Sequence, residues 1–175
     1  MSNKSVAEIA LNATKNGLDV ETRQSAVELL NARLADVIDL ELQAKQAHWN
    51  VKGPNFIGLH ELFDQVSAAA AKFKDEIAER AVMLGGVAVG TAQAVVERTT
   101  LAPYPVEAQD WKSHVDCVSS ALAKFGTALR QGIEDADELE DAVTADLLTT
   151  IAHEVDKYLW FVEAHRHDDA RSGQA

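Results

Sequence analysis

Two pairs of potential metal ligands lie in one helical stretch of the chain. His60 and Asp64 are four residues apart, and so are Asp75 and Glu79. Residues at positions i and i+4 project from the same face of a helix, close enough to share one ligand. Each pair can therefore supply half of a metal-binding site with imidazole and carboxylate donors.

The two pairs cannot meet within one chain. His60 and Asp75 are 15 residues apart, which corresponds to about 22 Å of helix. If both pairs bind one ion, the second pair belongs to another molecule. A two-fold axis near residue 70 would place the pairs opposite each other and generate two equivalent sites per dimer. Residues 68–71 are all alanine, so two helices could approach closely there.

His48 is a fifth potential ligand. Residues 52–55 contain Gly and Pro, which predicts a turn between two antiparallel helices. His48 and His60 each lie about six residues from this turn, so we expect them to stand opposite each other. One subunit would then present His48, His60 and Asp64 as a cluster. The donors include no thiolate and favour Fe(II), Mn or Zn with open coordination positions.

The spacing also has a simpler interpretation. Asp64, Asp75 and Glu79 can be ordinary exposed charges, with Glu76 and Arg80 as their partners on the surface. Ion pairs at this spacing are common on solvated helices. Spacing alone therefore leaves a metal site and a solvated surface as alternatives.

The composition favours one helical domain. The chain has 175 residues, of which 47% are hydrophobic, with only 3 Pro and 9 Gly. Cys117 is the only cysteine, which suits a reducing compartment. Residues 1–20 contain no apolar run typical of a signal peptide, and no stretch could span a membrane. We therefore expect a cytoplasmic protein without a membrane partner.

The net charge of −12 bears on the partners. A negative surface repels phosphate backbones and attracts cations. This argues against nucleic acid as the main partner, although acidity can also serve solubility alone.

Apolar residues recur three and four apart in four long segments, which predicts four amphipathic helices. We expect them at residues 21–51 and 56–84, from 111 to about Gly132, and after an acidic run to about 164. A short helix at 91–98 would interrupt the connection between the second and third helices. This order predicts an all-α, ferritin-like four-helix bundle with a long crossover that carries the short helix. We assign residues 21–165 to the bundle, 1–20 to a flexible tail and 166–175 to a short C-terminal tail.

Ferritin-like di-iron sites inside a bundle use Glu-x-x-His motifs. None of the six histidines follows a Glu at that spacing. A site within the bundle is therefore not expected here.

Several segments resemble the Dps-type mini-ferritins (DNA-binding proteins from starved cells) over roughly residues 25–165. The shared residues are the run 45–53 (KQAHWNVKG), Phe56, the run 59–64 (LHELFD), Asp75, the runs 78–80 (AER) and 84–86 (LGG), and the run 156–161 (DKYLWF). The resemblance implies a hollow homododecamer that oxidises Fe(II), preferably with hydrogen peroxide, and stores the ferric product. Such a ferroxidase protects the cell against oxidative damage.

The resemblance also assigns the ligands. His48, His60 and Asp64 of one subunit, with Asp75 and Glu79 of its two-fold mate, would hold two iron ions at each site between subunits, where zinc would compete. In this family a tryptophan at the position of Trp49 intercepts stray oxidising equivalents, and the alternative is a plain interface aromatic.

An acidic run is expected at the start of the fourth helix. It comprises Glu134, Asp135, Asp137, Glu138, Glu140 and Asp141. Acids there complement the helix dipole. The alternative is an iron-entry pore, for which the resemblance matches Asp137 and Asp146. Ala142 stands where some relatives have a third Asp, so Asp141 could take its place.

The tails bear on DNA binding, the alternative function as a nucleoid-compacting protein. Residues 1–20 offer Lys4 and Lys15 against Glu8 and Asp19. The C-terminal residues mix titratable, basic and acidic side chains: His165, Arg166, His167, Asp168, Asp169 and Arg171. Neither end is a polybasic arm, so we expect weak DNA binding and at most incidental association with the nucleoid. His165 and His167 are expected to be solvated, with metal binding as the alternative.

Overall fold

Four long helices and one short helix make up the computed structural model, which describes residues 10–166. The elements are α1 (Val20–Asn50), α2 (Phe56–Met83), α3 (Ala92–Arg98), α4 (Trp111–Glu138), α5 (Ala142–Glu163) and a 3₁₀ turn (Ala164–Arg166). The predicted all-α bundle with a helix in its long crossover is confirmed. Several tail residues on which the DNA argument drew lie outside the described residues: Lys4, Glu8, His167, Asp168, Asp169 and Arg171.

The four long helices pack as two pairs. α1 lies along α2, and α4 lies along α5, while α1 also contacts α4 and α2 contacts α5. The largest fully buried side chains come from all four helices and from Leu84, which directly follows α2: Leu30, Leu34, Leu40, Leu59, Phe63, Ile77, Leu84, Leu122, Phe125, Leu129, Leu148 and Ile151. Burying each such side chain contributes about 1.5–3 kcal/mol, so this shared core holds the bundle together.

The apolar stripe predicted for α2 faces that core. Leu59, Phe63, Val66, Ala70, Phe73 and Ile77 are each 4% exposed or less. Phe56, the first residue of the helix, is the exception at 40% exposed. It lies at the turn, with its ring centroid 5.2 Å from that of His60.

Glycines with positive φ shape both ends of α2. Gly53, at φ 121°, allows the turn after α1, where a Cβ would lie 2.9 Å from the ring of Trp111. Gly85, at φ 87°, ends the helix. Its N–H donates to the Val82 carbonyl at 2.9 Å, and the Gly86 N–H donates to the Ala81 carbonyl at 3.0 Å. These two bonds form a Schellman motif.

Polar side chains of α1 fix the path of the crossover. The Asn31 side chain donates to the Val87 carbonyl at 3.0 Å and accepts from the Val89 N–H at 2.8 Å. Asp36 accepts from the Thr100 N–H at 2.7 Å. These bonds satisfy three backbone polar groups on either side of α3 without a sheet.

The third long helix extends beyond its predicted end. α4 continues past Gly132 to Glu138, so most of the acidic run lies on its last turns and not at the start of α5. The prediction was wrong because Gly132 serves packing: it is buried, and a Cβ there would lie 3.0 Å from Leu148 Cδ1. These acids therefore do not complement the dipole of α5. Only Asp141 caps that helix, accepting from the Thr144 N–H at 3.1 Å.

A buried ion pair joins α2 to the start of α5. Arg80 Nη2 donates to both carboxylate oxygens of Asp141, at 2.8 and 3.0 Å, and Arg80 Nε donates to Thr144 Oγ1 at 3.0 Å. Arg80 is therefore not the surface partner that the simpler interpretation assumed. Burial by itself would raise the pKa of Asp141, but the hydrogen bonds from Thr144 and Arg80 outweigh it and lower that pKa below its usual range.

In the region 10–166, none of the helices is long and apolar enough to cross a bilayer.

Asp141→Asn is expected to lower the free energy of unfolding by about 3 kcal/mol at neutral pH, because Arg80 would stay buried without its counter-charge. Chemical denaturation of the variant measures this loss. Asp137→Asn, at an exposed position in the same acidic run, is the matched control and should change stability by less than about 0.5 kcal/mol. Equal losses in the two variants would contradict a special role for the buried pair.

The difference in unfolding free energy between wild type and Asp141→Asn should depend on pH. Because the folded pKa of Asp141 is lowered, the ion pair contributes fully above the unfolded carboxyl pKa of about 3.9. Its contribution is lost as the pH falls through the folded value. The stability difference between wild type and Asp141→Asn should therefore stay constant down to about pH 4 and narrow below it.

Glu140→Gly is expected to raise the melting temperature. Glu140 ends α4 at φ 56° within a Schellman motif, in which its N–H donates to Asp137 and the Asp141 N–H donates to Ala136, both at 3.0 Å. Glycine should relieve about 1 kcal/mol of left-handed strain there. Glu134→Gly, at an exposed position inside α4, should instead cost about 1 kcal/mol. Calorimetry that shows the same sign for both would refute this account.

Candidate metal centre

His48 and His60 meet where α1 and α2 fold back on each other. Their ring centroids are 3.7 Å apart and the rings are stacked at 21°. Both side chains are half-buried. The residue count from the turn thus predicted their position correctly.

Reciprocal hydrogen bonds fix both rings. His48 Nδ1 lies 2.7 Å from the His60 carbonyl oxygen, and His60 Nδ1 lies 2.8 Å from the His48 carbonyl oxygen. A carbonyl only accepts, so Nδ1 carries the proton in each ring. In the neutral imidazole Nε2 then keeps its lone pair, which is the donor that a metal ion needs.

Asp64 lies one turn after His60 on α2, but its carboxylate is engaged by a cation. Lys45, one turn before His48 on α1, donates a hydrogen bond from its ammonium to Asp64 Oδ1. This bond lowers the pKa of Asp64, and the two imidazoles act in the same direction. This pair cannot be predicted from a sequence pattern, because its partners are 19 residues apart on different helices.

Asp75 and Glu79 lie further along α2, and both are exposed. The centres of the two α2 pairs are separated by about 22 Å of continuous helix. Over residues 10–166, no group of three or more His, Cys, Asp or Glu side chains comes together to hold a metal ion. One subunit brings the two imidazoles together and leaves Asp75 and Glu79 remote from them.

Trp49, next to His48, points away from the core and is 66% exposed. Ile57, at the same turn, is 60% exposed, and Trp160 on α5 is 61% exposed. Exposed apolar side chains mark a surface that binds another protein where they form one contiguous patch, whereas scattered ones are normal.

The three acids considered for a pore differ in environment. Asp137 and Asp146 are exposed near the end of α4 and the start of α5. Asp141 is 2% exposed and bonded to Arg80 and Thr144. Its carboxylate therefore serves the subunit interior and is not free to line a channel.

His114 is a buried titratable group that the sequence did not mark as special. It is 1% exposed, and its Nδ1 lies 2.5 Å from the Tyr104 hydroxyl. Its Nε2 is the one buried side-chain polar atom without a hydrogen-bond partner among the described residues. Burial lowers the pKa of His114. His165 lies in the 3₁₀ turn, with Nδ1 3.0 Å from the Phe161 carbonyl oxygen.

Comparison with known proteins places the chain in a family. Residues 27–172 match the ferritin-like domain. The DNA protection during starvation protein of Agrobacterium fabrum is 43% identical over 152 residues, covering 87% of this chain and 94% of the relative.

Solved structures share the fold, and two of them serve as examples. Dps of Mycobacterium smegmatis has a TM-score of 0.84 at 35% identity, covering 89% of this chain and 94% of that one. Dps of Microbacterium arborescens in its high iron form has a TM-score of 0.79 at 34% identity, covering 89% and 98%. The chain therefore belongs to the ferritin-like family, among the DNA protection during starvation (Dps) proteins.

Proposed function

We propose that the protein oxidises and stores iron at sites shared between two subunits. Fe(II), the substrate, would bind His48, His60 and Asp64 of one subunit together with Asp75 and Glu79 of the partner subunit. The observation that carries this proposal is the stacked histidine pair, in which both Nδ1 atoms face carbonyls. Two oriented imidazoles with free Nε2 atoms form a metal-binding edge, and they need carboxylates that one subunit does not bring to them.

The surface of α2 suits a second copy of itself. At about 100° of rotation per residue, the four candidate ligands of α2 fall within an arc of about 100° beside the buried stripe. Ala68, which is exposed, and Ala71, which is half-buried, lie in the same arc between the two pairs. An antiparallel α2 could approach closely over these alanines, and a two-fold axis there would complete two sites at once.

The proposed reaction consumes peroxide in one two-electron step. Two Fe(II) ions each give one electron to hydrogen peroxide, and with two protons the products are two Fe(III) ions and two water molecules. Because both electrons arrive together, no hydroxyl radical is released. Zn²⁺ prefers the same nitrogen and oxygen donors but has no redox chemistry, so it would compete as an inhibitor.

Storage requires a closed shell, which we propose to be a hollow homododecamer in the cytoplasm. The exposed apolar side chains Trp49, Ile57 and Trp160 support burial against further subunits. The exposed Asp137 and Asp146 are proposed to line an entry pore for cations. The high iron form of the Microbacterium arborescens relative supports iron as the cargo.

Trp49 has a proposed role beside the site. An indole adjacent to His48 in sequence and 66% exposed could supply one electron when a single iron ion meets peroxide. Packing against another subunit is the alternative role for this side chain.

The DNA protection in the relatives' name does not require contact with DNA. Removing Fe(II) and peroxide together would protect DNA at a distance. The charge of −12 favours this indirect route over wrapping of phosphate backbones.

His48→Ala/His60→Ala is expected to slow peroxide-dependent Fe(II) oxidation at least tenfold. Mutation of residues that only hydrogen-bond a metal ligand already lowers metal affinity or activity about 10–100-fold, and this variant removes two ligands themselves. Stopped-flow absorbance after anaerobic loading with Fe(II) measures the rate. His153→Ala, which removes an exposed imidazole from α5, is the control and should match wild type. Unchanged rates in the double variant would remove the ferroxidase proposal.

A mixing experiment tests whether the site is shared. Asp75→Asn/Glu79→Gln subunits and His48→Ala/His60→Ala subunits should each be inactive alone. Assembled together at random, about one quarter of the sites should combine intact histidines with intact carboxylates from the other subunit type. Recovery of about a quarter of the activity supports the shared site, and no recovery in a verified mixed shell contradicts it.

The assembled protein is expected not to retard plasmid DNA in a gel at about 100 mM salt, because a negative shell repels phosphate. A variant with an added N-terminal Lys-rich segment should retard it and serves as the positive control. Retardation by the unmodified protein at mildly acid pH would favour the nucleoid-compacting alternative.

A further inference from the structure

The Lys45 ammonium forms an ion pair with Asp64, one of the candidate iron ligands. Lys45 and His48 share a face of α1, one turn apart, and His60 and Asp64 share a face of α2. The Lys45 ammonium hydrogen-bonds Asp64 across the two helices, on the same side as the stacked imidazoles. It therefore occupies the place where a cation bound by Asp64 would stand.

We infer that Lys45 is an internal counter-ion, which fills the Asp64 carboxylate until a divalent cation displaces it. This inference rests on the proposed function, because it concerns the same site. Lys45 would thereby determine which cations can enter and how tightly they bind. It is a specificity-determining residue and not a ligand.

The Lys45–Asp64 ion pair contributes little to the stability of the fold. Both side chains are partly open to water, at 34% and 51% exposed, and exposed ion pairs of this kind add little stability. A second ion pair, between Lys74 Nζ and Glu41 Oε2 at 2.7 Å, already joins α1 to α2. The two helices also share the hydrophobic core. A binding role explains why a lysine faces the candidate site better than a stabilising role does.

A tethered ammonium discriminates among cations. It acts at a high effective concentration, so K⁺ or Na⁺ from solution gains little by replacing it. A divalent ion carries twice the charge and, unlike an alkali ion, binds imidazole Nε2 well. Only such an ion can use Asp64 and both histidines together, which offsets the loss of the Lys45 bond. The expected result is a site kept clear of monovalent cations.

The test measures binding of Co(II), a stand-in for Fe(II) that peroxide chemistry does not complicate, by calorimetry on the assembled protein. Lys45→Met should bind Co(II) about five- to tenfold more tightly than wild type at low ionic strength, because one nearby positive charge is removed. At about 0.5 M salt the advantage should fall below about twofold, because salt screens that repulsion. Lys45→Arg, which keeps the charge, should resemble wild type.

Arg130→Met is the matched control. It also removes one positive charge from an exposed ion pair between helices, here with Asp156 at 2.6 Å, but on the α4–α5 pair. It should leave Co(II) affinity unchanged, so a gain in both variants would show a bulk charge effect and overturn the inference. So would equal affinities of Lys45→Met and wild type at every salt concentration.

A separate arm isolates the proposed site itself. If His48→Ala/His60→Ala binds Co(II) as wild type does, the metal lies elsewhere and the proposed function fails. If the histidine variant loses binding while Lys45→Met equals wild type, only the role of Lys45 fails. Circular dichroism and sedimentation of each variant confirm that fold and assembly are intact.

Discussion

The closure of the α1–α2 hairpin by two histidines is the constraint on which the candidate centre depends. Each imidazole bonds the backbone carbonyl of the other, at 2.7 and 2.8 Å. The pair can form only because Gly53 permits a tight turn and because the buried stripe of α2 fixes its rotation against the core. Fold and metal-binding edge thus share one set of contacts. A displacement of either helix by one residue would separate both the carbonyls and the free Nε2 atoms.

The straightness of α2 imposes the second constraint. A continuous helix holds its two ligand pairs apart by about 22 Å. Its apolar face packs against the core of its own subunit. The remaining face carries the ligands, separated by alanines. A half-site at each end of one rigid helix can be completed only by another helix of opposite direction. Chemistry and assembly are therefore coupled, because association would bring the missing carboxylates to the imidazoles.

Periodicity predicted the elements well because amphipathic helices bury one face whatever their partners are. The α2 stripe and the histidine pairing followed from counting residues along helices. The end of α4 was predicted wrongly at Gly132, because a glycine can either end a helix or let two helices pack closely. Only the contact with Leu148 shows that Gly132 serves close packing. Arg80 and Asp141 are 61 residues apart, and Lys45 and Asp64 lie on different helices. Pairings between elements depend on rotation and register, which a sequence pattern does not encode.

The hydrogen bonds of the histidine pair also link metal binding to local stability. Each Nδ1–H bond to a carbonyl holds its imidazole in the tautomer that a metal needs. Opening of the hairpin would break these bonds and scatter the donors. A bound cation therefore stabilises the closed hairpin over the open one, by mass action. The hairpin, which carries both imidazoles, should therefore gain backbone protection when a cation is bound.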